Sequence, residues 1–220
     1  MFKQRVLVAV LCAGALTACS SGEASNAGSA NIAKITDVKS SLGPDFKVSE
    51  VAPTGIDPKL LTAQKLPDGL MFDPPDCAKF AAGQAMPADL KGNMAAVSAE
   101  GAGNRFIALA MQTSKEIPVT EPGDNCKKVS FAGGALRGTV EILPAPQIDG
   151  VQTQGVHRVL QTTINGKPQT GEVYSYLAHF GDYQVIVTAN PLVIPDKPVA
   201  PVDTKRADAL LTAAVAAVRS

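Results

Sequence analysis

The chain has 220 residues, and its 20 Lys and Arg balance its 20 Asp and Glu, so the formal net charge is zero. A neutral chain lacks the basic surface on which nucleic-acid-binding proteins depend, so we predict no nucleic-acid partner. Hydrophobic residues make up 45% and charged residues 18%, which predicts a packed globular core and excludes a disordered chain. Aromatic residues are only 5%, which disfavours a base-stacking platform or an aromatic sugar site.

Residues 1–18 have the three parts of an export signal. Lys3 and Arg5 form the positively charged N-terminal region, and an apolar segment that is too short to span a bilayer follows. The run Leu16-Thr17-Ala18-Cys19 resembles a bacterial lipobox, in which the cysteine thiol takes a diacylglycerol and the freed amine takes a further chain such as palmitate. We therefore predict a lipoprotein held in the cell membrane at its extracytoplasmic face. The alternative is an ordinary signal peptide with a chance cysteine near its end.

Three segments are expected along the chain. Residues 1–18 are the lipoprotein signal peptide, and residues 19–31 are the lipidated Cys19 with a tether rich in Ser, Gly, Ala and Asn. Residues 32–220 are predicted to form a single α+β domain. Removal of the signal leaves 202 residues with a net charge of −2. Because this charge implies no basic patch that would bind anionic lipids, the acyl chains themselves must anchor the protein in the membrane.

Only two of the four cysteines are left to form a disulfide in the mature chain, since Cys12 leaves with the signal and Cys19 is acylated. In an oxidising compartment, the remaining Cys77 and Cys126 predict one disulfide, with two free buried thiols as the alternative. The bond would close a loop of 50 residues. For a loop of that length, the chain-entropy model predicts a stabilisation of about 4 kcal/mol.

Apolar periodicity predicts a helix at each end of the domain. Ile32, Ile35 and Val38 recur at helical spacing before Gly43-Pro44. A stripe over residues 207–218 predicts a final helix, with Asp203 or Thr204 as its N-cap. Between them, a proline-rich region allows only short helical pieces. We expect one of these at residues 75–83, with Cys77 and Phe80 inward and an N-cap near Asp76.

Strands fill the rest of the domain. A short strand ended by Pro53 is followed by runs joined mainly by glycine turns, of which Asn165-Gly166 is the strongest hairpin signal. The predicted strands are 46–51, 93–99, 104–113, 128–132, 136–143, 156–164, 171–180 and 183–189. Hairpin connections make an antiparallel sheet, and the terminal helices need an apolar surface to cover. The prediction is an α+β fold with six to eight strands, in which helices pack on a twisted antiparallel sheet and the C-terminal helix covers it.

The sequence contains no residues that we regard as candidates for catalysis. Hydrolase, metalloprotease and nucleotide-binding motifs are absent, and His157 and His179 are interpreted as ordinary strand residues. The pair Asp73 and Asp76 could form an acid site, but a turn followed by a helix N-cap is the favoured interpretation. Glu121 lies in a proline and glycine loop and is expected to be solvated. We predict no enzyme activity, no cofactor and no metal site.

The combined features resemble mycobacterial cell-envelope lipoproteins of unknown function. More loosely, residues 31–219 look like the extracellular sensor domains of mycobacterial Ser/Thr kinases. The segments that carry the resemblance are FDPPDCAKF at residues 72–80 and GEVYSYLAHFGDYQVIVTA at residues 171–189. It implies a twisted antiparallel sheet with a cleft for a ligand. The sensor family carries two disulfides, whereas only Cys77 and Cys126 are available here.

Two functions from different classes follow. The first is a membrane-anchored, non-catalytic envelope protein that binds a lipid, a glycan or a small molecule. The second is a protein-interaction or accessory module, which would use the proline-rich loops at residues 117–125 and 191–201 as its contact surface. An enzyme is a third and weaker hypothesis.

Overall fold

The computed structural model describes residues 30–56, 66–83, 87, 89–164, 166–195 and 197–220. The predicted signal peptide, Cys19 and most of the tether lie outside these residues. The described strands form one sheet in the order β1-β3-β4-β9-β8-β7-β6-β5-β2, and every neighbouring pair is antiparallel. Their bounds are β1 Lys47–Gly55, β2 Met71–Asp73, β3 Gly92–Gly101, β4 Asn104–Thr113, β5 Lys128–Gly133, β6 Leu136–Leu143, β7 Gln152–Ile164, β8 Lys167–Phe180 and β9 Tyr183–Pro191.

The hairpins at the centre of the sheet lie where the sequence predicts them, but the edges differ. The sheet has nine strands within the described residues instead of the predicted six to eight, because β2 was not predicted. With only three residues, β2 is too short to show an alternating pattern. β1 runs through Pro53 rather than ending there. The register shifts between Val51 and Thr54, and an edge strand tolerates a proline at such an irregularity because it needs no N–H donor there.

Two terminal helices cover one face of the sheet, as predicted. The N-terminal helix Ile32–Ser41 is a 3-10 helix, which fits the spacing of three residues between its buried Ile32, Ile35 and Val38. The C-terminal α-helix Thr204–Arg219 begins at the predicted N-cap Asp203, whose side chain accepts from Arg206 N. The helices share one core with β3, β4, β8 and β9. None of the described helices is long and apolar enough to cross a membrane.

A second, smaller core lies on the opposite face, over the far end of the sheet. Its cover is formed by a 3-10 turn at Pro75–Cys77 and a short α-helix at Ala78–Ala81. The predicted disulfide joins Cys77 to Cys126, and both cysteines are buried among residues of β5 and β6. The coarse α+β architecture is therefore confirmed, while the twist of the sheet stays a prediction.

Candidate functional site

A cleft of about 290 Å³ opens where β6 ends and β7 begins. Its floor is the backbone and side chains at the ends of these two strands. One wall is formed by residues 119–122, which lead towards Cys126, and the other by the β6–β7 connection. The lining consists of Val119, Glu121, Pro122, Ile142, Leu143, Ala145, Gln147, Gln152, Thr153, Gln154 and Gly155.

Three consecutive side chains of β7 hold both walls in place. Thr153 Oγ1 donates to Pro146 O at 2.8 Å and so ties the β6–β7 connection to the sheet. Gln152 Nε2 donates to Glu121 Oε1 at 2.8 Å. Gln154 Nε2 lies 3.4 Å from Thr120 O and gives the first wall a second, longer contact. A cleft whose walls are fixed in this way is preorganised for binding, because less order has to be created when a ligand enters.

Gly155 allows one wall to lie directly against the sheet. A Cβ at this buried position would lie 2.9 Å from Leu143 O and 3.1 Å from Pro144 O. Any larger residue would therefore push residues 143–145 away from β7. The absence of a side chain at Gly155 positions the start of the β6–β7 connection, and hence the shape of the cleft.

A histidine lies directly beside the cleft floor. His179 of β8 is the cross-strand partner of Gln152, so both side chains lie on the same face of the sheet. Burial lowers the pKa of His179 from 6.5 to about 4, so the imidazole is neutral at physiological pH. Its Nε2 lies 3.2 Å from Gln184 Nε2, which suits a neutral ring nitrogen that accepts a hydrogen bond.

The cleft carries little charge. Glu121 is the one charged residue of the described lining, which otherwise consists of amide, hydroxyl and aliphatic groups. No lysine, arginine, histidine or aromatic side chain belongs to this lining. The site therefore offers hydrogen-bonding groups from three glutamines and one carboxylate. Its floor adds aliphatic contact surface. No nucleophile is paired with a base among the lining residues that the structure describes.

His157 lies elsewhere, on the face that carries the terminal helices. Its Nε2 is 2.9 Å from Glu172 Oε2, and its ring stacks on Tyr174 with centroids 4.0 Å apart. Burial and the nearby Glu172 and Glu141 carboxylates raise the pKa of Tyr174. His157 is thus a hydrogen-bonded strand residue, as the sequence predicts.

The carboxylates of Asp73 and Asp76 do not lie in the cleft. Asp73 belongs to β2, where it is paired with Ser130. Asp76 Oδ2 accepts from Asn125 Nδ2 at 2.6 Å. Asp76 itself caps neither helix, because Pro74 is the N-cap of the 3-10 turn and Cys77 that of the short α-helix, and neither makes a side-chain cap bond. Instead, Asp76 and Asn125 join the two segments that the disulfide also links.

Among the described residues, no three His, Cys, Asp or Glu side chains could hold a metal ion together.

The residues that form the cleft are not among the candidate site residues that the sequence predicts. Glu121 was expected to be a solvated loop residue; it is exposed, but it also accepts from Gln152. Gln152 and Gln154 lie before residue 156, where the strand was expected to begin, whereas β7 starts at residue 152. Glutamines have no motif that marks them as ligand-binding, so only the folded chain brings them together with residues 119–122.

Comparisons with known proteins agree with the mycobacterial resemblance. The crystal structure of an uncharacterized protein from Mycobacterium smegmatis, the ortholog of Rv0999, is 60% identical with a TM-score of 0.83, and the match covers 88% of this chain and 100% of that one. The extracellular domain of PknH from Mycobacterium tuberculosis matches distantly, with 15% identity and a TM-score of 0.39, and the match covers 86% of this chain and 91% of that one. A search of curated proteins finds no match. A family model described as a domain of unknown function, DUF5642, matches residues 31–219, and the chain therefore belongs to the DUF5642 family.

Proposed function

We propose that this protein is a lipid-anchored binding protein of the cell envelope that holds a small ligand without converting it. The observation that carries the proposal is the cleft at the β6–β7 end, with both walls tied to β7. Small ligands bind in concave sites with an apolar floor and a few placed polar groups, and this cleft has both.

The anchor is supported by the lipobox at residues 16–19 and by the point where the domain begins. Asn31 N donates to Val218 O at 2.8 Å, so the chain enters the domain beside the end of the C-terminal helix. None of the described cleft-lining residues belongs to this helix or to the segment that enters the domain. We expect Cys19→Ala to move the protein from the membrane fraction to the soluble fraction, whereas Cys12→Ala should leave it in the membrane. Retention of the Cys19→Ala protein in washed membranes would contradict lipid anchoring at this residue.

Native mass spectrometry of residues 20–220, purified from the protein's own envelope, tests ligand binding. We expect a co-purifying adduct of small mass on the wild-type chain. Val119→Trp places an indole in the cleft and should remove the adduct, because Val119 lines it. Val193→Trp is the matched control, since Val193 lies outside the lining and is 77% exposed. An adduct that survives in the Val119→Trp protein, or no adduct on any of the three, would count against the cleft.

A second candidate function, a protein-interaction module, is favoured by one surface observation. Val193, Ile194 and Val199 are 77%, 42% and 54% exposed within the proline-rich loop that follows β9. Soluble proteins seldom expose neighbouring large aliphatic side chains without a reason. Site-specific cross-linking from position 193 should then recover the same protein repeatedly, and Val193→Asp should abolish the product. Cross-linking from position 164, where Ile164 is 55% exposed, is the control.

A further inference from the structure

We infer that the ligand of the cleft is a small polar molecule with a positive charge, held at Glu121. The inference rests on the proposed binding function and names the chemical class of its ligand. It is carried by the charge, size and polarity of the lining.

The charge of the lining selects against anions. Glu121 is the one charged residue among the described residues of the lining, and Gln152 donates to one oxygen of that carboxylate at 2.8 Å. The bond fixes the carboxylate at the cleft edge and leaves its second oxygen available to an ammonium group. A phosphate or carboxylate ligand would meet this negative charge, and the lining that the structure describes contains no lysine or arginine to compensate it.

The nearest histidine does not change this balance. His179 lies next to Gln152 across the strand pair, and a protonated imidazole there would add a positive charge. Burial lowers its pKa to about 4, so at neutral pH the ring carries no charge. Among the described lining residues, the charge is therefore that of Glu121.

The size and polarity of the cleft restrict the ligand further. A volume of about 290 Å³ lies at the lower end of the range of roughly 300 to 1,000 Å³ for small-molecule sites. It suits a compact molecule rather than an acyl chain or a glycan polymer. Gln147, Gln152 and Gln154 can both donate to and accept from hydroxyl groups of such a molecule.

Three probes of similar size and different charge test the inference. Glucosamine, glucose and glucose 6-phosphate would be titrated into the isotope-labelled chain of residues 20–220 at a pH at which the amine is protonated, and binding followed by NMR. We expect glucosamine to bind most tightly and to shift the signals of residues 119–122 and 152–155. An exposed ion pair contributes up to about 1 kcal/mol, so Glu121→Gln should weaken glucosamine about fivefold and leave glucose unchanged. Glu116→Gln, an exposed change in the same loop, should alter neither.

Salt gives a second readout, because screening weakens the binding of a cation but not that of a neutral sugar. Equal binding of glucose and glucosamine, or the same glucosamine affinity after Glu121→Gln, would overturn the inference while leaving the binding function intact. Tighter binding of glucose 6-phosphate would overturn it too. If no probe shifts the cleft signals, the inference fails, and the co-purification experiment with Val119→Trp decides separately whether the cleft binds anything.

Discussion

Asn104 and Asp203 are 99 residues apart in sequence, and a single hydrogen bond joins them at the start of the C-terminal helix. Asn104 Oδ1 accepts from Asp203 N at 3.1 Å. The amide of the same asparagine donates to Pro201 O at 3.2 Å and to Ala102 O at 3.2 Å, and the residue is only 3% exposed. One buried side chain thus links the β3–β4 turn, the loop after β9 and the helix N-cap.

Asn104→Ala should therefore destabilise the protein by about 2 to 3 kcal/mol, because it leaves buried backbone groups without their partner. We also expect faster amide exchange at Asp203 and Thr204, where the helix begins. Chemical denaturation and hydrogen exchange measure the two effects. Asn190→Ala is the control, since Asn190 donates only to the adjacent Pro191 O at 3.1 Å and its loss should cost less. Equal destabilisation by both changes would show that the three-way link adds nothing.

His179 should make the protein less stable in acid. Burial lowers the pKa of its folded form to about 4, against 6.5 for the unfolded chain, so the unfolded state binds more protons between these values. The stability contributed by the neutral ring is present above pH 6.5 and is lost as the pH falls towards 4. After allowance for partial exposure, we expect a loss of about 2 kcal/mol.

Urea denaturation between these pH values, on the wild type and on His179→Asn, isolates this contribution. The free-energy difference between the two proteins should shrink as the pH falls, because asparagine does not titrate. Parallel stability curves for the two proteins would show that His179 has no part in the acid sensitivity.

The disulfide should be a large source of stability. Cys77 is 1% and Cys126 6% exposed, and together they hold the short helical segment over β5 and β6. Replacing both by serine should lower the free energy of unfolding by about 4 kcal/mol, the value expected for a loop of this length. Residues 66–83 should also become sensitive to proteases. Denaturation curves and limited proteolysis test this, and unchanged curves for the double variant would contradict it.

Gly155→Ala should deform the cleft without filling it. The added methyl group would press on Leu143 O and Pro144 O, so we expect a destabilisation of about 1 to 3 kcal/mol and a displaced β6–β7 connection. NMR shifts at residues 143–147 and weaker ligand binding are the measurements. Gly171→Ala is the matched control in β8, because a Cβ there meets nothing within 4 Å. If both variants bind alike, the wall position does not depend on Gly155.

Local patterns predicted much of the fold. The spacing of Ile32, Ile35 and Val38 predicts the buried side of the first helix, and the turn residues predict most of the hairpins. Burial also follows the predicted stripe of the C-terminal helix, from Ala207 to Val218. Such features depend on neighbours within a few residues, and this is why a single sequence reveals them.

The edges of the sheet were harder to predict. β2 has three residues and is stabilised by its pairing with β5, some 60 positions later in the chain. β1 crosses a proline because its outer edge needs no hydrogen bond there. In both cases, pairing with a distant strand outweighs the local signal.

The amino-acid sequence alone predicted the lipoprotein signal and the membrane location, the pairing of Cys77 with Cys126, and the antiparallel α+β class. Each of these depends on a short motif, a count or a period, all of which are local properties of the chain. Only the tertiary structure decided where a ligand could bind. Gln152, Thr153 and Gln154 become cleft residues because the fold carries residues 119–122 and 143–147 to the same strand end. Hydrogen bonds between residues some 30 positions apart hold that arrangement, and no local pattern records them.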